Sequence, residues 1–183
     1  DGDHENSSYY YKVRINDEFK KSLDPYAVSS NINSEANYVV DMNKAYQIKH
    51  HNNFNGNYLE SIIYELHLKD VNVENDASDY LSLIKKLDYI KSLGITHIQI
   101  MPVNVFGGVD EANKDAMYNW GYNPVEFNSL SEWYSSDGAP YTAINEFKQL
   151  VDEIHHKGLN INLDVVYNHV YVAKTFSLNI LVP

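Results

Sequence analysis

The sequence predicts an α/β fold in which parallel strands alternate with helices. Three short runs of strand character lie at residues 61–68, 95–103 and 160–165, and two amphipathic helical patterns, 80–93 and 142–157, separate them. Gly94 and Gly158 follow the two helices and lead straight into the next strand, the position where a helix commonly ends. One helix between successive strands makes those strands parallel neighbours.

In chain order, residues 1–8 are polar and residues 9–15 alternate as a strand, with Asn16 and Asp17 starting a turn. Residues 19–23 are a partner strand, Pro25 breaks regularity, and residues 38–42 form another short strand. Residues 43–60 are Asn-rich and read as a linker. Adjacent histidines in a mobile loop do not both face one ion, so His50 and His51 are expected in a solvated loop. In the strand at 61–68, Ile62, Tyr64, Leu66 and Leu68 share one face, with Glu65 and His67 on the other. Glu65 and His67 are either a metal-ligating pair or a polar pair filling the interior of the sheet. The helix at 80–93 buries Tyr80, Leu83, Ile84, Leu87 and Ile90. His97, in the following strand, is expected to be packed or hydrogen-bonded rather than a ligand. Residues 104–140 form a long loop, of the kind that is usually functional in a compact domain. The second helix is expected to start at an N-cap Thr142 and to bury Ile144, Phe147, Val151 and Ile154, with His155 and His156 suiting its C-terminal dipole and solvent.

The third strand carries the most chemistry. Ile161, Leu163 and Val165 alternate with Asn160, Asn162 and Asp164, and Asp164, Asn168 and His169 gather at or just past the carboxyl end. Ligand sites of parallel α/β folds are built at that end. Three polar groups there favour a site over a loop that is merely tied down.

Composition bounds the rest. A net charge of −11 disfavours nucleic acid and anionic membranes as partners. No apolar run reaches the roughly 18 residues of a membrane span, and the first residues do not read as a signal peptide. The absence of Cys excludes disulfides and thiolate chemistry. Compartment is open between secreted and cytoplasmic, with secreted favoured. The chain starts without Met and is expected to be a processed or excised piece.

Asp164-Val165-Val166-Tyr167-Asn168-His169 resembles the first signature region of the α-amylase superfamily, glycoside hydrolase family 13. Tyr118-Asn119-Trp120-Gly121-Tyr122-Asn123-Pro124 is similar to the segment that marks type I pullulanases, with Asn123 where Asp is usual. The resemblance implies the first three strands and two helices of a (β/α)8 barrel at residues 59–183, where the pattern alone also permits a small open α/β sheet. It further implies that residues 1–58 are the end of a carbohydrate-binding-like β-sandwich plus linker. The implied activity is cleavage of α-1,6 branch links in pullulan, amylopectin or glycogen, by a retaining mechanism. An isoamylase or branching enzyme, or a non-catalytic glucan-binding or partner-dependent piece, are the alternatives.

By the same resemblance Tyr122 stacks on the sugar at the cleaved subsite and His169 meets its hydroxyl. Asp164 supports them and Trp120 shapes the wall. No cofactor is required, while Asn168 matches a position that binds calcium in many relatives. Retaining cleavage needs two carboxylates roughly 5–5.5 Å apart. The resemblance places them on later strands, so no catalytic residue is expected here and the remaining part of the enzyme is the implied partner.

Overall fold

The computed structural model describes residues 2–72 and 76–182. In chain order its elements are strands β1 (Ser8–Tyr9), β2 (Tyr11–Ile15), β3 (Glu18–Ser22), β4 (Asn37–Tyr38) and β5 (Ile63–Leu66), then helices α1 (Leu68–Val71) and α2 (Asp79–Ser92). Strand β6 (His97–Ile100), helix α3 (Thr142–His156), strand β7 (Asn160–Leu163) and helix α4 (Ser177–Leu181) follow. The expected order of parallel strands and intervening helices is present, with each strand shorter than its apolar run.

The N-terminal part forms two small antiparallel pairs, β1 with β4 and β2 with β3. The single strand expected over 9–15 is divided at Tyr10, because its two halves pair with different partners. Asn16 and Asp17 both take positive φ, 49° and 64°, which a tight hairpin turn between twisted strands requires. The strand expected over 38–42 pairs only at its start.

Strands β5, β6 and β7 form one parallel sheet in sequential order, with Glu65, Gln99 and Asn162 in register across it. Tyr64, Leu66, Ile98, Ile100 and Ile161 pack against α2 and α3, alongside Tyr80, Leu83, Leu87, Leu150 and Ile154. The opposite face carries Glu65, bonded by the Gln99 amide at 2.8 Å. Helices on one face and polar groups on the other is the arrangement of a barrel wall, whose second face looks inward. An open doubly wound sheet would be covered on both faces.

Several local expectations are corrected. The first strand of this sheet stops at Leu66, so His67 leaves the inward face and occupies the start of α1, and Leu68 is buried in that helix. Thr142 is not the cap of α3: Tyr141 precedes the helix without a side-chain cap, and the Thr142 hydroxyl turns to Asp137 at 2.6 Å. Residues 45–50 are strapped to α3 rather than mobile. The buried Asp152 carboxylate receives the Tyr46 hydroxyl at 2.7 Å and the amides of Lys49 and His50 at 2.8 and 2.7 Å. Burial opposes this charge, yet those donors hold the Asp152 pKa well below the usual range. The His50 ring lies 4.4 Å from that of His156, and His155 Nδ1 meets the His50 carbonyl at 3.1 Å, so neither α3 histidine simply faces solvent. His97 is packed as expected, 4.8 Å from the Phe54 ring and 2.7 Å from the Thr96 hydroxyl.

Loop 104–140 and its neighbours are held through four buried glutamates: Glu111, Glu126, Glu132 and Glu146. Ser131 and the Asn33 amide donate to Glu111, each at 2.7 Å. Ser30 and Asn37 donate to Glu126, Ser135 to Glu132, and Ser78 and Ser136 to Glu146. Burial pushes the Glu132 carboxyl up to about 8, against the lowering effect of the Ser135 bond. A carboxyl raised in the fold contributes fully below its ordinary value of 4.5 and loses that contribution as pH rises through about 8. In a completed barrel, Glu132→Gln should therefore gain thermal stability relative to wild type between those two pH values. A difference that stays constant across that window in thermal unfolding would contradict the assignment.

Candidate substrate-binding site

The end of β7 and loop 104–140 meet at one point. The Asp164 amide bonds to the Ile100 carbonyl at 2.9 Å, which carries the strand pairing one residue beyond β7 and fixes the carboxylate at the strand end. The Tyr122 hydroxyl donates to Asp164 Oδ2 at 2.5 Å. His169 Nε2 donates to the Tyr122 carbonyl at 2.7 Å. Three of the expected site residues, from two distant stretches, are thereby brought into one bonded set. Spending the Nε2 proton on a carbonyl leaves Nδ1 of a neutral ring as a hydrogen-bond acceptor. His169 would then meet a sugar hydroxyl as acceptor, unless it exchanged the Tyr122 carbonyl for the sugar.

Backbone contacts set the loop. Gly121 has φ +87°, its amide bonds to Asn119 Oδ1 at 2.9 Å, and a Cβ there would come 3.0 Å from the Pro102 carbonyl. Only glycine satisfies both the left-handed conformation and that close approach. The Gly107 amide bonds to the Asn123 carbonyl, and the Tyr171 amide bonds to the Pro124 carbonyl, so the chain after β7 closes back over the loop. A Cβ at Gly107 would sit 2.1 Å from the Tyr171 ring.

The other expected residues lie apart. Trp120 is 62% exposed and joins none of these contacts. Asn168 is exposed, and no group of three or more His, Cys, Asp or Glu that could hold a metal occurs among the described residues. Calcium takes six to eight oxygen ligands, as a rule including carboxylates. A single exposed carboxamide does not meet that requirement by itself. Glu65 and His67 do not form a ligand pair, since Glu65 is bonded to Gln99 on the inward face while His67 is buried against Tyr134. A cavity of about 240 Å³ beside the strand end is lined by Asn104, Phe127, Leu163, Asp164 and Tyr167. Tyr122 and His169 do not line it.

The contribution of His67, Asp70 and Tyr134 was not legible beforehand. His67 Nε2 lies 3.0 Å from the Tyr134 hydroxyl, and Asp70 receives the Tyr118 hydroxyl at 2.9 and 3.0 Å. Those partners are far apart in sequence and no local pattern announces them.

Burial and the Asp164 carboxylate push the Tyr122 phenol up to about 12 from 10.0. Asp164→Asn, which removes the charge and keeps the shape, should bring that phenol back toward 10.0, as read by NMR of carbon-labelled tyrosine. An unchanged titration would mean that the bond is absent in solution.

Residues 62–177 match the family described as the catalytic domain of alpha amylase. The whole chain aligns with a pullulanase of Bacillus subtilis at 32% identity, covering 28% of that protein. An isoamylase of Zea mays aligns at 36% identity with 59% of the chain and 15% of its own length. The crystal structure of an Anoxybacillus pullulanase complexed with maltotetraose superposes with a TM-score of 0.90 at 36% identity, covering 96% of this chain and 28% of that one. The chain thus spans just over a quarter of each of these two pullulanases. With the parallel sheet, the strand-end carboxylate and the family match in agreement, this chain belongs to the alpha-amylase catalytic-domain family and has its TIM-barrel-type fold.

Proposed function

We propose that this chain is part of a pullulanase-like glycoside hydrolase that cleaves α-1,6-glucosidic branch links by a retaining mechanism. The observation that carries the reading is the bonded set of Tyr122, Asp164 and His169 at the carboxyl end of β7. A flat phenol ring suits the C–H face of a glucose unit, and the carboxylate and imidazole suit its hydroxyls. Trp120, exposed beside Tyr122, offers a second aromatic surface to the glucan. The alignment with a pullulanase over all of the chain, against part of it for an isoamylase, supports a pullulanase-like over an isoamylase-like reading.

In this reading residues 59–183 are the first three strands and two helices of the catalytic barrel. Residues 1–58 are the end of a carbohydrate-binding-like β-sandwich with its linker, in keeping with two small antiparallel pairs before the parallel sheet. The substrate is an α-glucan such as pullulan, amylopectin or glycogen. The contribution of these residues is to bind and orient the sugar at the cleaved bond. Glu65 and Asp164 are the inward carboxylates of the sheet and its edge, and each is committed to a neighbour, Gln99 and Tyr122. By the family resemblance, the nucleophile and acid/base of the reaction lie on later strands of the completed barrel.

The 183 residues alone should release no reducing ends from pullulan, whereas the longest reading frame containing them should do so. In that complete chain, His169→Ala removes one polar contact worth about 0.5–1.5 kcal/mol, a loss of roughly two- to tenfold in kcat/KM. Tyr122→Ala should cost more, since it removes a stacking face as well. Wild-type kinetics in both variants would overturn the subsite, and hydrolysis by the 183 residues alone would overturn the division of labour.

A further inference from the structure

We propose that Tyr118 is a positioning residue, and that the corner between β5 and α1 grips it to set the place of the Tyr122 ring; this rests on the reading of Tyr122 as a sugar-binding aromatic.

The grip has two parts on one turn of chain. His67 and Asp70 are joined by the Asp70 amide bonding to the His67 carbonyl at 3.0 Å. The His67 ring is buried and lies 5.0 Å from the Tyr118 ring. The Asp70 carboxylate receives the Tyr118 hydroxyl at 2.9 and 3.0 Å on its two oxygens. Tyr118, half exposed, is thus packed on one side by the tilted His67 ring and held at its tip by Asp70. His67 is itself fixed from behind: its Nε2 meets the Tyr134 hydroxyl at 3.0 Å, and its ring stands 5.7 Å from Tyr134 and 6.1 Å from Trp133. Tyr134 and Trp133 are almost wholly buried, so the backing is part of the core.

Position passes from Tyr118 to Tyr122 through a short, constrained stretch. Asn119 bonds the Gly107 carbonyl at 3.3 Å and receives the Gly121 amide at 2.9 Å. Gly121 is pressed against Pro102 in its left-handed conformation. With Tyr118 held at one end and Asp164 holding the Tyr122 hydroxyl at the other, the stretch is fixed at both ends. Burial, the Asp70 bond and the Asp70 charge raise the Tyr118 phenol to about 12, so the hydroxyl stays a donor at any working pH.

The grip predicts coupled, local effects. In the longest reading frame containing the segment, Tyr118→Phe and Asp70→Ala should each lower kcat/KM on pullulan by about two- to tenfold. The double variant should be no worse than either single one, because both remove the same bond. Amide hydrogen exchange across 119–123 should quicken in all three while exchange in β6 stays at the wild-type rate. If the complete chain does not cleave pullulan, the exchange measurement still decides the grip, so failure of the enzymatic reading is separable from failure of the positioning. Additive kinetic losses would overturn the grip. So would unchanged exchange at 119–123, or loss of melting temperature with wild-type kinetics in the folded protein.

Discussion

A long loop that leaves a sheet must find partners for its polar groups without the help of a neighbouring strand. Loop 104–140 meets that requirement by directing buried carboxylates to hydroxyls and amides instead of cations. Glu126 draws Ser30 and Asn37 of the N-terminal part onto the loop, and Glu111 draws Asn33. Glu146, on α3, does the same for Ser78 and Ser136. Each uncompensated group in such a setting would cost on the order of 1–3 kcal/mol, so these pairings decide whether the loop is ordered at all. The arrangement at Tyr122 depends on that order, because its ring projects from the same loop.

What the sequence reveals and conceals follows from the range of the interactions. Alternating apolar residues place β6 and β7, a stripe of Leu and Ile places α2, and Gly94 and Gly158 mark the turns, with φ of +77° and +73°. Those are local effects and were legible. The polar cluster at Asp164 and His169 was legible too, because strand direction alone puts it at the carboxyl end. The strap of residues 45–50 on Asp152 was not, since its partners lie about a hundred residues apart in sequence. The same holds for the His67 ring, which alternation placed on the inward face and which the turn into α1 carries into the core. Thr142 looked like a cap by residue type, but Asp137 offered its hydroxyl a better acceptor. Asn168 rests on resemblance alone, and among the described residues no group of three or more His, Cys, Asp or Glu that could hold a metal occurs.

The site shows how a barrel divides its work. Residues from one strand end and one loop converge, with the Tyr122 hydroxyl bonded to the Asp164 carboxylate and the His169 imidazole to the Tyr122 carbonyl. Under the proposed function, such preorganisation would reduce what must be ordered when a glucan binds.

A crystal structure of the completed barrel soaked with maltotetraose tests this account most directly. The account predicts a glucose ring stacked on Tyr122, with a hydroxyl within hydrogen-bond distance of His169 and the Tyr122–Asp164 bond retained. Sugar bound elsewhere on the barrel, with Tyr122 and His169 uncontacted, would contradict it.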